Sequence, residues 1–183
     1  WKPFAGIEER EPMLQAFLKS VPFNQSGTRR LKAENVTVPM RLPLPNSTKI
    51  STQEAFGRIL YDIAGEDSEL ASHIVTTSPD VTQSTNLGGW VNRRGVFARE
   101  KKSVTFRAQQ VPSMQKWAFT DAGQHIELGI AENNLFILLA ALGLSHETFG
   151  HRLLPIGTVY DPVIARGLDA LNYACYQDAR FML

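Results

Sequence analysis

Hydrophobic and polar positions change their spacing several times along this chain, and the changes mark out its elements. From Ser51 the apolar residues Ala55, Phe56, Ile59, Leu60 and Ile63 recur every three or four positions, the period of an amphipathic helix. Ser51-Thr52-Gln53-Glu54 in front of them reads as a capping box, the hydroxyl taking the amide three residues on while Glu54 reaches back. Ile74-Val75-Thr76-Thr77 is β-rich and ends at Ser78-Pro79-Asp80, which predicts a buried strand running into a loop. Ile130 to Leu142 is apolar on nearly every side, so it predicts a helix that is buried rather than amphipathic. Leu153 to Tyr160 predicts a strand, Val163 to Tyr176 a helix, and Arg180 to Leu183 the start of another strand. Such alternation predicts an α/β fold of three layers, a mainly parallel sheet flanked by helices.

Two stretches break the rhythm. Residues 1–50 hold six of the ten prolines, which disfavours long regular structure. One short helix fits from Glu8 to Ser20, with Pro12 in its first turn and Leu14, Phe17 and Leu18 on one face. The rest of 1–50 reads as an extended interdomain arm, leaving 51–183 as the α/β domain. Residues 81–124, rich in Asn, Gln, Gly and Ser with β-like pieces such as Val104-Thr105-Phe106, read as a functional loop, being too long for an idle connection.

Composition narrows the function classes. An apolar share of 43% and a charged share of 20% are ordinary for a soluble protein. The pairs Arg29-Arg30, Arg93-Arg94 and Lys101-Lys102 lie far apart and read as solvated surface, not as a nucleic-acid footprint. Cys175 is the one cysteine, so no intrachain disulfide can form; a cytoplasmic home and a packed thiol are expected. The longest apolar run, Leu135 to Leu144, has ten residues, half of a membrane span, so no membrane partner is expected. The chain opens at Trp1 and closes on Phe181-Met182-Leu183, so both ends read as cut and the domain as truncated at its C-terminus.

The chemistry concentrates at Gln124-His125-Ile126-Glu127-Leu128-Gly129-Ile130-Ala131-Glu132-Asn133. Glu132 begins an otherwise apolar helix. Either it points to solvent and favours the helix dipole, or it is buried. A buried carboxyl without a cation has its acid form favoured and can pass a proton near neutral pH.

Gly129-Ile130-Ala131-Glu132 resembles the (G/A)-I-x-E segment of thiamine-diphosphate enzymes of the transketolase and 2-oxo acid dehydrogenase superfamily. Three further features follow in that family's order. Ser51 to Ile63 resembles the first helix of the pyrimidine-binding domain, in the S-T-x-x-A-F-x-R form of homodimeric pyruvate dehydrogenase first components. Ser78-Pro79-Asp80 resembles the loop whose Asp lies near the thiazolium ring. Pro155-Ile156-Gly157-Thr158-Val159-Tyr160, then Arg166 and Asp169, resembles the strand and helix after the Glu helix, and Tyr176 to Arg180 is again similar to the pyruvate dehydrogenase type. The resemblance covers residues 51 to 183, and the arm 1–50 fits the family's variable linker.

It implies that Glu132 bonds a pyrimidine nitrogen of thiamine diphosphate and activates the cofactor. Asp80 would lie near the thiazolium, unless it is a plain turn residue. Tyr160 would stack on the pyrimidine, unless it is a strand-end core residue. His125 would approach the site mouth, unless it is a satisfied loop histidine. His73, His146 and His151 lack metal-ligand spacing, and Asn133 and Asn134 depart from the residues usual after the family's Glu. No G-D-G segment occurs. Mg²⁺ and the diphosphate would therefore be held by a separate domain, and the isolated chain should be inactive. The resemblance implies a homodimer in which pyrimidine and diphosphate domains face one another, with an acyltransferase component of a multienzyme complex as a further partner. Decarboxylation of a 2-oxo acid is the expected activity. Transketolase-type ketol transfer and a non-catalytic assembly domain are the alternatives.

Overall fold

Five parallel strands order the computed structural model of the chain, which describes residues 2, 5–21, 24, 30–47, 49–100, 109 and 112–183. They are β1 (Ile74–Ser78), β2 (Val96–Phe97), β3 (Phe119–Thr120), β4 (His125–Glu127) and β5 (Leu154–Gly157), lying in the order β3-β2-β4-β1-β5. Register fixes the centre: Thr76 lies opposite His125 on one side and Ile156 on the other. Beyond β5, Met182 bridges Ile156 in parallel, where the strand from Arg180 was expected. The helices are α1 (Glu11–Ser20), α2 (Thr52–Ala64), α3 (Glu69–His73), α4 (Gly88–Arg94), α5 (Glu132–Gly143), α6 (Ser145–Thr148) and α7 (Leu168–Tyr176), with 3-10 turns at Glu8–Arg10 and Asp161–Gly167.

Strand alternation distributes two apolar clusters over the two faces. Ile74 and Ile156 point into the first, with Leu60 and Ile63 of α2, Leu70 and Ala71 of α3, and Leu87, Trp90 and Val91 on and just before α4. Gly157, next along β5, faces the other way, so that an added Cβ would meet Leu139 Cδ1 at 2.6 Å. Leu139 belongs to the second cluster, with Leu135 and Phe136 of α5 packed by Leu128, Val159, Ile164, Ala170, Leu171 and Phe181. Helices therefore flank the sheet, an arrangement compatible with three layers.

Local chemistry explains most element boundaries. Ser51 Oγ accepts the Glu54 amide at 3.1 Å, as expected. The Glu54 carboxylate, however, turns forward to Arg58 at 2.7 Å, so half of the capping box forms. α5 starts two residues later than the apolar run, because Gly129 (φ +66) and Ala131 (φ −152, ψ 69) hold the chain out of helical geometry. Its buried side is complete, yet Ile137 is 54% exposed. β5 ends at Gly157, short of Tyr160, and the helix expected from Val163 is a 3-10 turn up to Gly167 followed by α7.

The loop expected over 81–124 needs the largest correction. It contains α4, β2 and β3, and Trp90 and Val91 are fully buried. α2 and α4 approach closely because Gly57 has no side chain: a Cβ there would sit 2.4 Å from Asn86 O. Arg94 is correspondingly half-buried, donating to Glu66 O (2.7 Å) and Gln124 Oε1 (3.3 Å), while Arg93 covers the Tyr61 ring at 3.7 Å. Cys175 is exposed, not packed; one step along α7, Ala174 takes the buried position. Val104-Thr105-Phe106, Lys101-Lys102 and Arg29 lie outside the described residues.

Of the arm, residues 30–37 lie on α6, α3 and the turn before β5. Leu31 N donates to Glu147 O (2.8 Å), Arg152 Nε to Glu34 O (3.1 Å) and Thr37 N to Glu69 Oε2 (3.2 Å). Among the described residues no helix is long and apolar enough to cross a membrane.

Candidate functional site

β1 and β4 are neighbours whose chains part. After β1 the backbone runs to α4 on the face of the first cluster, and after β4 it runs to α5 on the opposite face. Two adjacent strands with diverging loops leave a crevice at their carboxyl ends, the usual ligand position in a parallel sheet. Ser78 and Glu127 close the two strands, directly opposite in register.

The seam beneath this crevice is polar where a sheet core is normally aliphatic. Thr76, Ser78, His125 and Glu127 fall on one face by strand alternation. His125 is fully buried, with Nδ1 against Thr76 Oγ1 (2.9 Å) and Nε2 against Thr82 Oγ1 (3.0 Å). Thr82 donates to Glu127 Oε2 at 2.5 Å, and Ser78 Oγ lies 3.5 Å from the same oxygen. The Asp80 amide donates to Glu127 Oε1 at 2.8 Å. Burial of the Glu127 side chain opposes its charge. Hydrogen bonds from His125, Thr82 and the Asp80 amide, with the charge of His125, outweigh this and bring the carboxyl from 4.5 down to about 2.

Asp80 itself is exposed and left-handed, φ +63. That conformation costs an L-residue about 1–2 kcal/mol, which a hydrogen bond to a charged acceptor, about 1.5–3 kcal/mol, offsets. Asp80, Thr82, His125 and Glu127 line a cleft of about 360 Å³ with Trp117 and Phe119 as further walls. The structure thus brings Asp80 to the crevice. His125 lines the same cleft as a satisfied histidine, on β4 and not in a loop, with both ring nitrogens engaged by threonine hydroxyls.

Glu132 is not among the residues that line that cleft. It is 9% exposed at the first turn of α5, so the solvent-pointing alternative is overturned. It is not without a cation, as the sequence suggested: Arg166 Nη1 reaches its Oε1 at 2.8 Å. The Arg166 side chain is 60% exposed, so the pair is hydrated on one side and worth nearer ~1 kcal/mol than the several of a fully buried pair. Among the described residues Oε2 of Glu132 has no hydrogen-bond partner. A covered carboxyl with one oxygen held and one open can take a further hydrogen bond.

Tyr160 is not the strand-end core residue that the sequence allowed. It is 44% exposed on a shallow cleft with Asp161, Pro162 and Val163, because β5 ends three residues earlier. His73 and His151 stack at 4.9 Å, and among the described residues no group of three or more His, Cys, Asp or Glu could hold a metal ion. Sequence reasoning missed Glu127, Thr82 and Arg166 as site residues. The signal for Glu127 was present: His-x-Glu in a strand puts both side chains on one face. No family model and no curated protein matches this chain.

Proposed function

We propose that this chain is the aminopyrimidine-binding α/β domain of a thiamine-diphosphate-dependent enzyme, of the class that decarboxylates 2-oxo acids. The observation that carries the reading is Glu132: a covered carboxylate at the start of an apolar helix, one oxygen fixed by Arg166 and the other open. The motif order along residues 51–183 and the parallel sheet with a crevice between β1 and β4 support it.

When bound, thiamine diphosphate supplies the carbon nucleophile that attacks the 2-oxo acid. Glu132 Oε2, the open oxygen, would hydrogen-bond the pyrimidine ring nitrogen. Arg166 holds Oε1 (2.8 Å), and Gly167 packs closely on the first turn of α5, since an added Cβ there would lie 2.2 Å from the Phe136 ring and 3.1 Å from the backbone oxygen of Glu132. Asp80, at the crevice mouth, would offer its carboxylate to the positive ring of the cofactor. Mg²⁺ and the diphosphate belong to a separate domain, so the site is completed by a second subunit of a homodimer, and an acyltransferase component takes the product acyl group. Ketol transfer by the same site is the near alternative.

The test uses full-length protein with thiamine diphosphate and Mg²⁺. Glu132→Gln removes nearly all turnover of pyruvate or a related 2-oxo acid while circular dichroism is unchanged; retained turnover refutes the reading. A non-catalytic assembly domain is the second reading, favoured by one observation. The outer side of α5 and α7 exposes Ile137, Tyr173 and Tyr176 beside a groove floored by Ala140, Ala141, Ala170 and Ala174, and apolar surface of this kind marks contact sites.

A further inference from the structure

Asp80 is one of two residues, with Asn86, that take a positive φ in the loop after β1. Its side chain is exposed and its φ is +63, a region L-residues rarely occupy. One carboxylate holds the chain there from both sides. Glu127 takes the Asp80 amide on Oε1 (2.8 Å) and the Thr82 hydroxyl on Oε2 (2.5 Å), with the Ser78 hydroxyl 3.5 Å from Oε2. Thr82, the donor to Oε2, is itself held against His125 Nε2 (3.0 Å), and His125 Nδ1 meets Thr76 (2.9 Å) inside the sheet. Residues 78, 80 and 82 are thus gripped by a single group on the neighbouring strand.

We infer that Glu127 is a positioning residue, which fixes the backbone at Asp80 and so aims the Asp80 carboxylate into the cleft above β1 and β4. The inference rests on the thiamine-diphosphate reading and adds to it the residue that governs Asp80. Coulombic attraction falls with distance, so the Asp80 charge is useful to a positive ring only if its loop is held still. Glu127 contributes through Asp80, since both of its oxygens are engaged within the chain.

The test compares Glu127→Ala and Glu127→Gln, each in wild-type and Asp80→Asn backgrounds, in full-length protein with thiamine diphosphate and Mg²⁺. Amide hydrogen exchange at Asp80 is measured on the same proteins without cofactor. Glu127→Ala is expected to lower kcat on the order of tenfold or more, and Glu127→Gln, which keeps an acceptor for the amide, restores most of it. In the Asp80→Asn background the same Ala substitution costs no more than about twofold, because no charge remains to be placed. Exchange at Asp80 quickens roughly tenfold in Glu127→Ala but not in Glu127→Gln. Where the Ala variant does not fold, Glu127→Asp, which withdraws the carboxylate by one methylene, takes its place with the same expectations. The inference is overturned by equal losses in both backgrounds, by undiminished turnover in Glu127→Ala, or by unchanged Asp80 exchange. Failure of the underlying reading shows separately, as retained turnover in Glu132→Gln, and the inference then falls with it.

Discussion

Acid should loosen this protein at one identifiable carboxylate. Glu127 titrates near 2 in the fold against 4.5 for an ordinary glutamate, a gap of about 3 kcal/mol at 1.36 kcal/mol per unit. Its side chain is 32% exposed, and solvent screening brings the figure to roughly 1–2 kcal/mol. Because the folded value lies below the unfolded one, the contribution is fully present above pH 4.5 and fades as pH falls from about 4.5 towards 2; by pH 3 more than half of it, about 1 kcal/mol, is gone. Glu127→Gln mimics the protonated acid and isolates this group from the other carboxylates that titrate in the same window. Urea denaturation of wild type and variant at pH 7, 5, 4 and 3 should give a stability difference of about 1–2 kcal/mol at pH 7 that shrinks steadily below pH 4.5. A difference that stays constant down to pH 3, or grows, refutes the account of Glu127 as a carboxylate held charged by its donors.

Other perturbations address the packing. Phe136→Ala empties a fully buried position against Gly167 and should cost about 3–5 kcal/mol in urea denaturation; a loss under about 1 kcal/mol would mean that α5 is not seated as described. Gly57→Val drives a side chain into Asn86 O and should destabilise by about 1–3 kcal/mol through strain, read as a fall in Tm; an unchanged Tm would show that α2 and α4 separate freely. Cys175, exposed on α7, should react stoichiometrically with a thiol reagent in the native chain, and protection until denaturant is added would contradict its placement.

The layers of the fold were legible because their residues obey simple periods. Helical spacing over 55–63, the β-rich run at 74–77 and the apolar run from 130 each correspond to α2, β1 and α5. α4, β2 and β3 were hidden for physical reasons. The strands have two residues each, and α4 opens on Gly88-Gly89, poor helix formers, in a place where Gly57 admits close packing against α2. Glu132 could be singled out as a carboxyl heading an apolar helix, but its Arg166 partner is 34 positions away, a separation no local pattern reveals. Glu127 was visible as a residue and invisible as a site, because its meaning comes from Thr82 and Asp80, delivered by the loop of another strand.

The attachment of the arm has a consequence for access. Residues 30–37 fasten to Glu69, Glu147 and Arg152, close to where β1 and β5 begin, whereas the crevice opens where β1 and β4 end. All strands run the same way, so the tether enters at the rear of the sheet. From there the chain runs on to the front, where Gln53 Nε2 at the start of α2 donates to Ser84 O (2.5 Å) on the cleft, so one arm is anchored at both ends of the sheet.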